Sequence, residues 1–109
     1  MVGLTREEML RRWTELRKTS QQSMMGAKLA LLEADNLLDS ALKSLMMPGD
    51  TLGERLRVAG YKYPKLREVW WAHKLRNQLA HDASSQISQR EVARALDDFE
   101  KALKLLNVM

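Results

Sequence analysis

Cysteine is absent from this chain of 109 residues. Its absence excludes a disulfide scaffold and a thiolate zinc site, and it suits the reducing conditions of the cytosol. The first eight residues lack the apolar core of a signal peptide, and no later run is long and charge-free enough to span a bilayer. We therefore expect a cytoplasmic protein that does not enter the membrane.

Proline and glycine are scarce as well, with two prolines and five glycines in the chain. Because these residues interrupt helices, their scarcity favours long helical segments, and the sequence shows no alternating strand pattern. A chain of this length encloses one hydrophobic core. The sequence therefore predicts an all-α fold with residues 1–109 in a single domain.

A strong excess of charge of one sign is also lacking. The chain has 18 basic and 14 acidic residues, which are interspersed, and its formal net charge is +4. Such a small excess favours an anionic partner only weakly.

Three Ser/Thr-x-x-Glu sequences mark the starts of predicted helices. In such a capping box the hydroxyl and the carboxylate accept hydrogen bonds from amide groups that the first turn leaves free. The boxes begin at Thr5, Thr51 and Ser88. The helix after Thr51 is expected to end at Gly60, and the helix after Ser88 is expected to reach about Leu106.

Two more helices complete the prediction. One spans about residues 24–45, and the other spans residues 64–81 with Pro64 in its first turn. The polar segment 18–23 is a predicted break, because a small domain needs its first helix to fold back. One continuous helix through this segment is the alternative, since small residues keep a helical spacing across it.

The second and last helices each carry a continuous apolar face that predicts contact with the core. These faces comprise Ala30, Ala34, Leu37, Leu38, Ala41 and Leu45 on the second helix, and Val92, Ala95, Leu96, Phe99, Ala102, Leu103 and Leu106 on the last. Met25, Leu29 and Leu32 lie roughly opposite the first face, and Trp71 points away from the histidine side of its own helix. Because four such residues would form an unusual exposed patch, we predict a homodimer with two-fold symmetry.

The fourth predicted helix holds the candidate functional residues. Arg76 and Asn77 lie between His73 and His81, which are the only two histidines of the chain. Arginine carries a planar cationic fork suited to phosphate, and histidine exchanges protons near neutral pH. Together these side chains could bind a phosphodiester and move a proton without a metal ion. His73 and Lys74 are the candidate substrate-binding residues.

Two interpretations of this helix remain open. Helical spacing places His73, Asn77 and His81 along one line together with Leu66 and Trp70, and Arg76 lies beside this line. In the structural interpretation, Arg76 pairs with Glu33 or Asp35, and Asn77 or His81 holds a helix end. In the functional interpretation, the same groups border a shared cleft.

No metal and no cofactor is expected. Two histidines eight positions apart, without a His-x-x-x-His pair, make a poor metal site, and the sequence has no glycine-rich phosphate loop. Glu33, Asp35 and Asp39 lie at the borders of their predicted helix face, where we expect solvated or ion-paired side chains.

The spacing of Arg76, Asn77 and His81 resembles the signature of the HEPN superfamily of small helical ribonucleases. In that signature an arginine and a polar residue precede a histidine by a few positions. The order of the predicted helices, from about Met9 to Leu106, is similar to that of HEPN domains as well. The resemblance implies a four- to five-helix up-and-down bundle that dimerises so that two copies of the motif face each other.

The same resemblance implies a chemistry. It identifies Arg76, Asn77 and His81 as catalytic residues for metal-independent cleavage of RNA, in which the neighbouring 2′-hydroxyl attacks the phosphate and leaves a cyclic phosphate. His81 would act as general base or acid, Arg76 would offset charge on the phosphoryl oxygens, and Asn77 would orient His81 or the phosphate. His73 falls outside the family pattern.

One position departs from the family. Members that pair with a nucleotidyltransferase antitoxin often carry a tyrosine two residues after the histidine, where this chain has Ala83, so control by nucleotide attachment is not expected.

Three function classes follow. They are a homodimeric ribonuclease that acts as a toxin or phage-defence effector, with RNA and an antitoxin as partners; a catalytically silent HEPN-like module that binds nucleic acid or nucleotide; and an interaction protein that only dimerises.

Overall fold

The computed structural model describes residues 4–109, and in that range it contains five α-helices, one 3-10 helix and no strand. The elements are α1 (Arg6–Gln22), α2 (Met24–Ser44), α3 (Leu52–Lys62), the 3-10 helix (Pro64–Val69), α4 (Trp70–His81) and α5 (Gln89–Leu105). The prediction of an all-α fold is confirmed for this range. Among the same residues, no helix is long and apolar enough to cross a membrane.

A single residue separates α1 from α2. Ser23 is extended, with φ −166° and ψ 170°, and its hydroxyl accepts a hydrogen bond from the Gly26 amide. The predicted break is confirmed, but it is shorter than the polar segment 18–23 because α1 runs to Gln22. A Cβ on Gly26 would collide with the Thr19 carbonyl oxygen, so glycine lets the two helices approach closely after the break.

The three capping boxes are not equally complete. At Ser88 both hydrogen bonds form, since the hydroxyl accepts from the Glu91 amide and the Glu91 carboxylate accepts from the Ser88 amide. At Thr5 only the hydroxyl takes part. At Thr51 the hydroxyl accepts as predicted, but the Glu54 carboxylate accepts from the amide of the residue before Thr51. All three sequences start helices, and only the last forms the full box.

The chain between α3 and α4 differs from the prediction in two ways. Gly60 does not end α3, which continues to Lys62. The helix stops there because Pro64 disfavours a helical conformation at Tyr63, whose φ and ψ are −124° and 82°. The single helix predicted from Pro64 onwards is divided, since the Leu66 amide donates to the Tyr63 carbonyl three residues back and begins a 3-10 turn.

The core is centred on α2, which packs against α1, α3, α4 and α5. All seven residues of the predicted α5 face are buried, Phe99 completely. The predicted face of α2 is buried too, except for Leu45, which is 38% exposed. Leu45 leaves the core because α2 ends at Ser44 and the chain turns at Met46, whose φ is 62°.

Only part of the predicted dimer patch is exposed. Met25 and Leu29 are 65% and 54% exposed, whereas Leu32 is half-buried against the core. Trp71 is 37% exposed and lies against α5, where its indole nitrogen donates to Asp98 at 2.6 Å. The four residues therefore divide between two parts of the surface, and the homodimer stays a prediction.

Candidate functional site

A buried carboxylate lies at the centre of the candidate site. Asp35 is 3% exposed and follows the same line along α2 as Leu31, Leu38 and Leu42, which are also buried. Asp35 therefore lies inside the α2 face and not at its border as expected, although it is ion-paired as that expectation allowed. Because a charged group away from water needs cations or hydrogen-bond donors around it, this acid requires partners. They come from α4.

The partners of Asp35 are His73 and Arg76. His73 Nδ1 lies 2.9 Å from Asp35 Oδ1, and Arg76 Nε lies 3.2 Å from Asp35 Oδ2. The second contact is an ion pair, since the direction of the Nε–H bond does not meet hydrogen-bond geometry. The structural interpretation anticipated this pairing of Arg76 with Asp35. Its other candidate, Glu33, instead lies 3.9 Å from Arg12.

Asn77 joins these residues into a closed ring of contacts. Arg76 Nη1 donates to Asn77 Oδ1 at 3.1 Å, and Asn77 Nδ2 lies 3.3 Å from His73 Nε2. One tautomer of His73 is consistent with both of its hydrogen bonds: Nδ1–H donates to Asp35 Oδ1, and the bare Nε2 accepts from the Asn77 amide. We term this ring of Asp35, His73, Arg76 and Asn77 the Asp35 network.

The Asp35 network lines a cleft that α2, α3 and α4 enclose. The cleft has a volume of about 500 Å³ and is bordered in addition by Asn36, Asp39, Thr51, Leu52, Gly53, Trp70, Lys74 and His81. All five candidate residues of the sequence, His73, Lys74, Arg76, Asn77 and His81, therefore border one cleft.

These candidate residues differ in their access to solvent. His73 is 7% exposed and has a partner on each ring nitrogen, whereas Lys74 and His81 are exposed. The Arg76 side chain is 29% exposed. Among residues 4–109 its only hydrogen bond is the one from Nη1 to Asn77. Arg76 thus retains donors that a ligand in the cleft can reach.

Both acids that border the cleft are ion-paired with basic side chains. Asp39 Oδ1 lies 2.7 Å from Arg55, and its Oδ2 lies 3.4 Å from Lys43, while the carboxylate of the Asp35 network is paired as described. Lys74 makes no ion pair with the described residues. An anion entering the cleft therefore meets no unpaired carboxylate. In the part of the chain that the structure describes, no group of three His, Cys, Asp or Glu side chains could hold a metal ion.

Two contacts hold the chain that follows His81, the last residue of α4. Asp82 Oδ1 accepts hydrogen bonds from the Ser84 hydroxyl at 2.6 Å and the Ser84 amide at 3.0 Å. These two bonds hold the pKa of Asp82 below its ordinary value. The Lys28 ammonium donates to the Ala83 carbonyl at 2.9 Å. The loop therefore leaves α4 in a defined direction, directly after His81, which borders the cleft.

The sequence did not predict two features of the site, which are the burial of Asp35 and the position of Thr51 and Gly53 beside α4. The signal for Asp35 was present, because the acid interrupts an apolar line at helical spacing along α2. No comparable signal places Thr51 and Gly53 beside α4, since that contact joins segments far apart in the chain.

Comparisons with models of protein families, with curated proteins and with solved structures each gave no match to this chain. The resemblance to HEPN domains therefore rests on the spacing of the motif and on the order of the helices.

Proposed function

We propose that the cleft binds RNA and cleaves it without a metal ion, as the resemblance to HEPN ribonucleases implies. The observation that carries the proposal is the meeting of Arg76, Asn77 and His81 at one cleft. Arginine and histidine are sufficient for this chemistry, because the first stabilises a phosphoryl anion and the second transfers protons.

Arg76 binds the phosphate in this proposal. Its Nε faces Asp35 and its Nη1 is bonded to Asn77, so the plane of the guanidinium is fixed before a ligand arrives. Its remaining N–H groups can then donate to the phosphoryl oxygens, on which negative charge grows in the transition state. Donors that are already oriented stabilise such charge without a further cost of ordering.

His81 carries the proton transfers. The 2′-oxygen of the ribose attacks the adjacent phosphorus and gives its proton to an imidazole, and the bond from phosphorus to the 5′-oxygen breaks as that oxygen gains a proton. The products are a 2′,3′-cyclic phosphate and a free 5′-hydroxyl. A two-fold assembly that brings two copies of His81 to one phosphodiester supplies the base and the acid at once.

His73 acts as a positioning residue. Its two nitrogens are bonded to Asp35 and Asn77, which leaves neither free to exchange a proton with substrate. It orients Asn77, and through Asn77 it orients Arg76. Lys74 is exposed at the same cleft and adds a mobile positive charge for the phosphate backbone.

A catalytically silent binding module is the second candidate function. One observation favours it: Arg76 is already ion-paired with the buried Asp35, as a purely structural arginine would be. Such a module would bind RNA at the cleft without turnover.

The test incubates purified protein with end-labelled RNA in EDTA and analyses the product ends. The parent protein should give cyclic phosphate ends, and His81→Ala and Arg76→Lys should each lower the rate by about 10²–10³. Gln78→Ala is the matched control, because Gln78 is exposed on the same helix and does not border the cleft. Cleavage by His81→Ala at the parent rate would assign the activity to a contaminating nuclease. Binding by the parent protein without any cleavage would support the silent module.

Sedimentation of the same preparation tests the two-fold assembly. The ribonuclease proposal expects a species of twice the 12.6 kDa chain mass at micromolar concentration. A preparation that cleaves RNA while sedimenting only as a monomer would contradict the pairing of two His81 side chains.

A further inference from the structure

The positive charge of the chain is concentrated in one segment, residues 55–67. This segment contains five basic residues and no acidic one: Arg55, Arg57, Lys62, Lys65 and Arg67. The whole chain has 18 basic and 14 acidic residues, so the rest of it has 13 basic and 14 acidic residues and a net charge of −1. As whole elements, α3 and the 3-10 helix that follows it also contain Glu54 and Glu68, so they carry +3 of the net charge of +4.

Most of this charge faces solvent without a partner. Arg55 is the exception, because it is paired with Asp39 at 2.7 Å. Arg57 and Arg67 are exposed and make no ion pair with the residues that the structure describes. Both border a groove of about 400 Å³ where α3 meets the 3-10 helix and the start of α4. The groove, termed the basic groove, is lined by Leu56, Arg57, Gly60, Tyr61, Arg67 and Trp70.

An aromatic ring lies beside these cations. Tyr61 is 76% exposed, which is unusual for a side chain with so much apolar surface. Gly60 next to it lies against Arg67, since a Cβ at position 60 would be in van der Waals contact with Arg67 Cγ at 3.4 Å and with its Nε at 3.5 Å. The Arg67 side chain therefore lies against α3 beside Gly60, and it borders the same groove as Tyr61.

An exposed aromatic ring in one groove with two guanidinium groups that make no ion pair with the described residues has the chemistry that recognises single-stranded nucleic acid. An unpaired base can stack on the ring while the flanking phosphates meet the arginines. A duplex keeps its bases stacked inside and cannot use the ring in this way. We propose that the basic groove binds single-stranded RNA, with a base on Tyr61 and phosphates on Arg57 and Arg67.

The basic groove and the cleft are neighbours, because Trp70 borders both. A strand held on Tyr61 can continue across Trp70 and present a phosphodiester to Arg76. The path of the strand from Tyr61 to Arg76 rests on the proposed cleavage. The binding of RNA in the basic groove is independent of that proposal.

The experiment measures binding of a fluorescent 2′-O-methyl oligouridylate of about ten nucleotides, which is long enough to fill such a site and has no free 2′-hydroxyl to attack the phosphate. Fluorescence anisotropy gives the Kd at several salt concentrations. Tyr61→Ala should weaken binding by about 5- to 150-fold, the range found when a stacking aromatic is truncated, and Tyr61→Phe should bind like the parent.

The arginines are tested together. Arg57→Ala with Arg67→Ala should weaken binding and reduce the slope of log Kd against log salt by about 1.4, because each single-strand phosphate contact contributes about 0.7. Arg11→Ala with Lys18→Ala is the matched control. These two side chains carry the same charge, are exposed, and lie on α1, which packs on α2 and α5 rather than on α3.

Three results would overturn the proposal. The first is an RNA affinity of Tyr61→Ala equal to that of the parent, and the second is an equal loss of affinity in the control pair and in the arginine pair. The third is competition by duplex DNA or by polyglutamate that equals the competition by unlabelled single-stranded RNA. The last result would assign the groove to a duplex or to an acidic protein. RNA binding that depends on Tyr61 in a protein that cleaves no RNA would reject the proposed cleavage alone. Cleavage that persists without Tyr61-dependent binding would reject the basic groove alone.

Discussion

Replacement of Asp35 by alanine removes the acid to which His73 and Arg76 are bound. His73 Nδ1 loses its partner at 2.9 Å and Arg76 Nε loses the carboxylate at 3.2 Å. Both groups remain in a region where Asp35 itself is 3% exposed. We therefore expect a large loss of stability, because the folded state keeps a cation and a donor that have no counterpart.

The size of the loss follows from the burial of each partner. Removing one member of a fully buried ion pair costs about 3–5 kcal/mol. The Arg76 side chain is 29% exposed, so water can recover part of its solvation, and we expect about 2–4 kcal/mol for Asp35→Ala. Asp35→Asn keeps the volume and one acceptor oxygen but loses the charge, and it should cost about 1–3 kcal/mol.

Urea unfolding followed by tryptophan fluorescence measures these losses. The Trp70 ring lies 5.6 Å from the His73 ring, centroid to centroid, and so reports on the network. Glu33→Gln is the matched control on the same helix. The Glu33–Arg12 pair is 3.9 Å apart with side chains 42% and 51% exposed, and a pair of this kind contributes about 0–1 kcal/mol.

One result would refute this reasoning. If Asp35→Ala unfolds at the same urea concentration as Glu33→Gln, with the same dependence on urea, the Asp35 network contributes nothing to the folded state. The contacts of Arg76 would then have to be explained by its function alone.

Two further predictions concern α5. Phe99→Ala should lower the free energy of unfolding by about 3–5 kcal/mol, because the missing ring leaves a cavity in the core. Lys101→Ala is the control, since its side chain is 77% exposed, and it should change the free energy of unfolding by less than about 0.5 kcal/mol. Equal urea midpoints of the two variants would contradict the packing described. Burial raises the pKa of Glu100, but the hydrogen bond from Trp13 and the Lys104 ammonium outweigh it and hold that pKa below its ordinary value of 4.5. The ionised carboxylate therefore stabilises the fold above pH 4.5, and this contribution is lost as the pH falls through the lower value of the folded state. The difference in stability between the parent and Glu100→Gln should shrink over that range, and a difference that does not change with pH would be inconsistent with this origin.

The helices were predictable because their signals are local. A capping hydroxyl bonds an amide three residues away, and an apolar face is a matter of spacing within one helix. For this reason the three starts at Thr5, Thr51 and Ser88 were found, and so was every buried residue of the α5 face.

The errors occurred where two local signals compete. Gly60 and Pro64 both favour the end of α3, and the proline prevails because its ring restricts Tyr63, whereas a glycine inside a helix is only mildly unfavourable. At the end of α2, the apolar pattern continues to Leu45 while the backbone has already left the helix, and pattern alone does not reveal that turn.

The candidate site was predictable to the extent that it lies on α4. Spacing along one helix places the candidate residues at a common edge, but it cannot assign them to core or solvent. His73 and His81 lie on the same line, yet His73 is buried and His81 is exposed. The difference arises from α3, since a Cβ on Gly53 would lie 3.6 Å from His73 Nε2, while His81 lies at the far end of α4. Such a contact between distant segments is invisible to a periodic pattern.

The structural and functional interpretations of Arg76 are compatible, because a guanidinium has more than one edge. It carries five N–H donors in a rigid plane, of which one lies against Asp35 and another binds Asn77. A lysine at this position offers a single point of charge on a flexible chain. It can neutralise Asp35 or approach a phosphate, but it cannot do both in a fixed orientation. The proposed function therefore expects Arg76→Lys to lose cleavage with only a small loss of stability, and both effects would have one cause, which is that the buried acid holds the arginine in a fixed orientation.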